Sequence, residues 1–145
     1  MGTWDVGPFD DDHAADWCGV LHDAAPADRI LLIRAALRAV TDSGDDDYLD
    51  GGVAVEAVAA AAVVASQLPG GETVTSPYAP NFLLEGESLV IPGDLPALAS
   101  RALDRVTADN SEWRDLWTET EHYPRVLAAL SSIRSTLGRA GTTHR

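Results

Sequence analysis

VAVEAVAAAAVVASQL, residues 53–68, is apolar almost all round. A helix that faces water on one side carries polar residues there, and a helix without a polar face is surrounded by other elements. The stretch is shorter than the ~20 residues needed to span a bilayer and carries Glu56. It therefore predicts a buried helix at the centre of a bundle. Its alanines allow neighbouring backbones to approach closely.

The flanking segments fit around such a centre. From Ala14, the residues Ala14, Trp17, Cys18 and Leu21 fall at i, i+3, i+4 and i+7, which puts them on one helical face. Cys18 is thereby predicted to pack as a small hydrophobe and not to act as a nucleophile. Pro26 breaks that run and suits the first turn of a second helix, ADRILLIRAALRAVT (27–41). There Ile30, Ile33, Leu37 and Val40, with Leu31, form a broad apolar face, and Arg34 and Arg38 share the opposite one. The acidic linker DSGDDDYLDGG (42–52) follows, with Asp50 placed to cap the central helix.

After the central helix, residues 69–93 are rich in proline and glycine. They read equally as a small hairpin around Gly86 or as an ordered loop packed by Tyr78, Phe82 and Ile91. A helix then starts with Asp94 as N-cap and Pro96 in its first turn, burying Leu95, Leu98, Ala99, Ala102 and Val106. Asp109 and Glu112 have capping-box spacing before a short helix bearing Trp113, Leu116 and Trp117. The last helix runs from about Glu121 to Leu137, with Pro124 in its first turn and Val126, Leu127, Leu130, Ile133 and Leu137 on one face. The prediction is an all-α fold: a single compact domain of five or six helices, residues 1–140, ending in a flexible tail at 141–145.

At 145 residues the chain is long enough to bury a substantial core. All ten of its basic residues are arginine, which excludes lysine Schiff-base chemistry and a P-loop lysine. With the alanine-rich helices, this composition points to a bacterial source. The net charge of −13 is unevenly spread: residues 1–28 hold seven acids and no arginine, and residues 39–100 hold ten acids and no arginine. Such a surface repels phosphate backbones and suits a basic protein or a cation. The single cysteine rules out an intramolecular disulfide and a zinc–cysteine site. The first twenty residues lack a basic start followed by a continuous apolar run. Neither a nucleic-acid nor a membrane partner is expected, and the expected location is cytoplasmic.

Two groups of residues could bind a cation. Asp12, His13 and Asp16 are helical neighbours that could share a metal ion. The competing explanation is structural: the first turn of a helix has free N–H groups and a partial positive charge, which Asp10 or Asp11 could cap. Asp45, Asp47 and Glu56 can be numbered 1, 3 and 12 of a calcium loop. Leu49 then falls at position 5 and Asp50 where glycine belongs, so the motif is not met. No serine lies in a Gly-x-Ser-x-Gly context, and Gly51-Gly52 and Gly70-Gly71 match no nucleotide-binding pattern. No catalytic or cofactor-binding residue is assigned. The Trp113–Trp117 stripe reads as core, and Trp4 and Phe9 are expected to pin the opening segment to the bundle, with Asp10 and Trp17 completing that anchor.

Met1-Gly2-Thr3-Trp4, Gly7-Pro8-Phe9-Asp10, then Asp12, Ala15, Asp16 and Trp17 resemble the opening of a bacterial family known as domain of unknown function 4259. Its members open with M-G-T-W-x-x-G-P-F-D-N-D-x-A-x-D-W. This chain has Asp11 where that pattern has asparagine. The Ser-Glu-Trp-Arg-Asp-Leu-Trp stretch (111–117) is also similar to a family feature. The resemblance implies a small single-domain protein and brings no activity with it. The expected role is a non-enzymatic protein-interaction module for a basic partner, such as an immunity-like inhibitor of a basic toxin. Its alternatives are a metal-binding or metal-assisted enzyme using the carboxylates named above, and a self-associating protein whose arginine-rich final third meets the acidic half of a second copy, as in a homodimer.

Overall fold

A buried polyalanine face needs partners on every side, and the chain supplies them with helices wrapped around it. The computed structural model describes residues 12–44, 46–68 and 89–143. These form α1 (Asp12–Asp23), α2 (Pro26–Thr41), α3 (Gly51–Ser66), α4 (Leu95–Val106), α5 (Glu112–Thr118) and α6 (Tyr123–Thr143). The fold is all-α, and α3 packs against each of the other helices. Ala54 and every residue from Ala57 to Ala65 are buried, so α3 is the core and not one wall of it. Short side chains let axes come to the near end of the usual helix–helix spacing of about 8–10 Å, so several helices can crowd one centre.

The neighbours contribute the bulk that alanine lacks. Leu21, Ile33, Leu37, Leu95, Leu103 and Leu137 are among the largest fully buried side chains. Burying each such side chain is worth roughly 1.5–3 kcal/mol relative to exposure. The predicted face of α1 is the observed one: Ala14, Trp17, Cys18 and Leu21 are all buried. Arg29, itself buried in α2, closes the end of α1 by donating from Nε to the Leu21 carbonyl at 3.2 Å and from Nη2 to the His22 carbonyl at 2.8 Å. Those carbonyls have no partner inside their own helix, and a guanidinium fork satisfies both.

Periodicity overstates the apolar faces elsewhere. Leu31 is 62% exposed, Leu116 40% and Leu127 38%. Leu116 and Leu127 lie at the margin of their helices' buried stripes, whereas Leu31, two residues and so ~200° around the helix from Ile33, lies on the side of α2 facing away from Ile33, Leu37 and Val40. Two helix starts also differ from their reading. Asp94 occupies the N-cap position of α4 without a side-chain capping bond, because its carboxylate is drawn to Arg34 of α2. The Asp109–Glu112 capping box is replaced by Ser111, which is fully buried and accepts from the Arg114 amide. Asp109 instead pairs with the Arg114 side chain. The last helix extends past Leu137 to Thr143. Of the 69–93 segment, residues 69–88 lie outside the described residues, and with them the choice between hairpin and loop. Leu89, held by Gln67 Oε1 at 2.9 Å, and Ile91 pack against the core.

Candidate functional site

The charged residues that the sequence separates meet at one end of the bundle, where α1, α3 and α5 begin. The linker after α2 enters α3 through Leu49, which forms an isolated parallel bridge with Ser111, just before α5. The Leu49 amide donates to the Asn110 carbonyl at 2.8 Å, and the Glu112 amide donates to the Leu49 carbonyl at 2.9 Å. Asn110 has φ 61°, the left-handed region that asparagine tolerates better than most residues. Two chain segments sixty residues apart are thus tied side by side.

Carboxylates fill the helix start beside this tie. Asp50 caps α3 by accepting from the Val53 amide at 3.1 Å. Glu112 of α5 reaches across and accepts from the Gly51 amide at 2.7 Å. The free N–H groups of the central helix are therefore met by two acids, as the partial positive charge there favours. The double glycine makes room for this. A Cβ on Gly51 would lie 2.9 Å from Glu112 Oε1, and one on Gly52 would lie 2.8 Å from His13 Cε1. His13, on the first turn of α1, is itself 2.8 Å from Glu56 Oε2 of α3.

On the outer side of the tie stands Tyr48, 58% exposed. Its hydroxyl donates to Asp115 Oδ2 at 2.7 Å. That bond, with the charges of Asp115, Glu112 and Glu119 around it, pushes the phenol up to about 12. The result is an exposed aromatic ring tied through its hydroxyl to a carboxylate, with Asp46, Asp47 and Asp50 exposed on the same linker.

The residues proposed as cation ligands are distributed differently from either grouping. His13 of the first set meets Glu56 of the second. Asp12 and Asp16 lie exposed on α1, and Asp47 lies exposed on the linker. Asp45 is outside the described residues, as are Trp4, Phe9 and Asp10 of the expected N-terminal anchor; Trp17 is buried in the core. Among the described residues, no three or more His, Cys, Asp or Glu side chains stand close enough together to hold a metal ion. The linker does surround a cation, but it is a guanidinium. Arg105 of α4 takes the Gly44 and Asp47 carbonyls. Cys18 is 2% exposed, and burial pushes its thiol up to about 12, so it carries no thiolate near neutral pH. Trp113 is core, edge-on to Tyr123 and tilted against a half-buried Trp117.

Sequence reasoning missed Arg105 and the Tyr48–Asp115 pair. Arg105 did leave a trace: it lies three residues after Ala102 and seven after Leu98, within the stripe that α4 buries. An arginine in an apolar stripe must find carbonyls or a carboxylate there. Tyr48 and Asp115 left none, since a pair 67 residues apart has no local spacing to betray it.

No helix among the described residues is long and apolar enough to cross a membrane. The family described as "Domain of unknown function (DUF4259)" matches residues 2–129. No curated protein and no solved structure matches the chain.

Proposed function

The chain belongs to the family described as domain of unknown function DUF4259, and we propose that it works without chemistry of its own, as a cytoplasmic interaction module presenting an acidic surface to a basic protein partner. The observation that carries this reading is Tyr48. A tyrosine 58% exposed and fixed by a carboxylate offers a rigid ring to a partner, and tyrosine is among the side chains that dominate binding energy at interfaces. The carboxylates of Asp115, Glu112 and Glu119 around it favour a cationic side chain, whose approach they would also accelerate.

The disposition of the arginines supports the same reading. Arg29 and Arg105 are buried under backbone carbonyls. Arg34, Arg38, Arg114 and Arg134 are paired with Asp94, Asp42, Asp109 and Asp104. Much of the positive charge is therefore committed within the molecule. This favours a separate basic partner over self-association through the arginine-rich final third. An inhibitor that covers a basic toxin is the biological role such a surface suits best.

Calorimetric titration with an arginine-rich peptide at low and moderate salt tests the reading. Binding is expected to weaken with salt and to weaken further in Tyr48→Ala. Binding that is absent at low salt, or indifferent to Tyr48→Ala, would overturn it.

A further inference from the structure

Arg105 is 7% exposed, and among the described residues its guanidinium donates to backbone oxygens: Asp47 at 2.6 Å, Asp109 and Asn110 at 3.2 Å, and Gly44 at 3.4 Å. Its Nε has no partner among the described residues. A buried guanidinium is costly unless its donors are satisfied. Here one fork draws together two loops, the linker before Tyr48 and the turn before Ser111. The Asn110 carbonyl receives both Arg105 and the Leu49 amide, so the brace and the Leu49–Ser111 tie share an atom group.

We propose that Arg105 is the positioning residue of the acidic surface: from beneath, it fixes the linker and the α4–α5 turn in the one register that brings Tyr48 to Asp115. It would never touch a partner, yet it decides whether the ring is presented. The binding consequence rests on the partner reading above; the bracing itself does not. Lysine would replace the fork only in part: Nη2 reaches both loops while Nη1 holds the Asp109 carbonyl, and a single ammonium has no second nitrogen to hold all of these carbonyls at once.

The test compares Arg105→Met and Arg105→Lys with the native protein by amide hydrogen exchange and by titration with the arginine-rich peptide. In Arg105→Met, protection of the Leu49 and Glu112 amides is expected to fall by roughly tenfold or more, while amides of Leu37 and Ala60 in the core keep theirs, as a local opening requires. Peptide binding is expected to weaken about as much as in Tyr48→Ala. Arg105→Lys is expected to fall between, and it carries the test should the methionine variant not fold. Unchanged protection at Leu49 and Glu112 in Arg105→Lys would overturn the proposal, as would loss there by the same factor as in the core. If those amides are released but the native protein binds no peptide, the bracing stands and the partner reading fails.

Discussion

His13 of α1 and Glu56 of α3 are hydrogen-bonded across the start of the bundle, Nε2 to Oε2 at 2.8 Å, although 43 residues separate them. The imidazole donates, since an ionised carboxylate only accepts. The ring lies over Gly52, where any Cβ would stand 2.8 Å from its Cε1. The first turn of α1 is thereby fastened to the central helix by this polar contact as well as by the apolar packing of Ala14 and Trp17.

That contact is expected to be weak and specific. The side chains are 56% and 34% exposed, and exposed pairs of this kind are worth about 0.2–1 kcal/mol. A double-mutant cycle with His13→Ala and Glu56→Ala, read by urea unfolding, should return a coupling in that range that shrinks with added salt. In a Gly52→Ala background the new methyl displaces the ring, so the coupling should vanish. A coupling that survives there would show that the ring has room the geometry denies it.

One alanine-for-glycine substitution and one leucine-for-alanine substitution separate propensity from packing. Gly19 is exposed inside α1, and a Cβ there would meet nothing within 4 Å. Gly19→Ala should stabilise by about 0.5–1 kcal/mol, because glycine gives up more chain entropy in a helix. Ala60 is fully buried in α3 with helices on every side. Ala60→Leu should destabilise by about 1–3 kcal/mol or more through overpacking. Thermal melting of both variants checks the two signs together, and a tolerated Ala60→Leu would mean that α3 is less tightly enclosed than its burial indicates.

Local spacing made the bundle legible. The face Ala14, Trp17, Cys18, Leu21 and the uniformly apolar α3 were readable because helical periodicity acts between residues a turn apart. Asp50 was readable as a cap for the same reason. What escaped depends on partners brought close only by folding. Asp94 looks like a cap in sequence, yet Arg34, sixty residues away, takes its carboxylate. Leu31 has apolar spacing and no neighbouring helix to cover it. His13 and Glu56 were each assigned to a different cation set, and the fold pairs them with one another. The site is a product of topology, and single-sequence periodicity carries no information about which helix ends meet.

Cys18 offers a chemical check on the core. Its thiol is 2% exposed and is pushed up to about 12 by burial. The sign follows from the raised value: the neutral thiol is the form the fold favours, so this contribution to stability is full below the ordinary value of 9.0 and is lost as pH rises through about 12. At pH 8 an aromatic disulfide reagent should modify the native protein only through opening, roughly a thousandfold or more slower than in urea. Comparable rates in the two states would place Cys18 on a mobile surface.

Asp50 and Asp94 occupy the same position at the starts of α3 and α4 and should respond differently to the same substitution. Asp50 makes the capping bond to Val53; Asp94 makes none and pairs with Arg34 instead. Asparagine caps as well as aspartate, so Asp50→Asn should be nearly neutral, whereas Asp50→Ala should cost about 1 kcal/mol. Asp94→Asn removes the charge that Arg34 needs and should cost as much as Asp94→Ala, within the roughly 0.2–1 kcal/mol of an exposed pair. Acid separates them further. The hydrogen bond from Arg34 holds the Asp94 carboxyl below its ordinary value of 3.8. A lowered folded-state value means that the contribution is complete above about that pH and is lost as pH falls through the lowered value. The stability difference between native protein and Asp94→Asn, measured by urea unfolding from pH 7 downward, should therefore hold to about pH 4 and then close. A difference that persists in strong acid, or an Asp94→Asn as harmless as Asp50→Asn, would mean that Asp94 caps α4 after all.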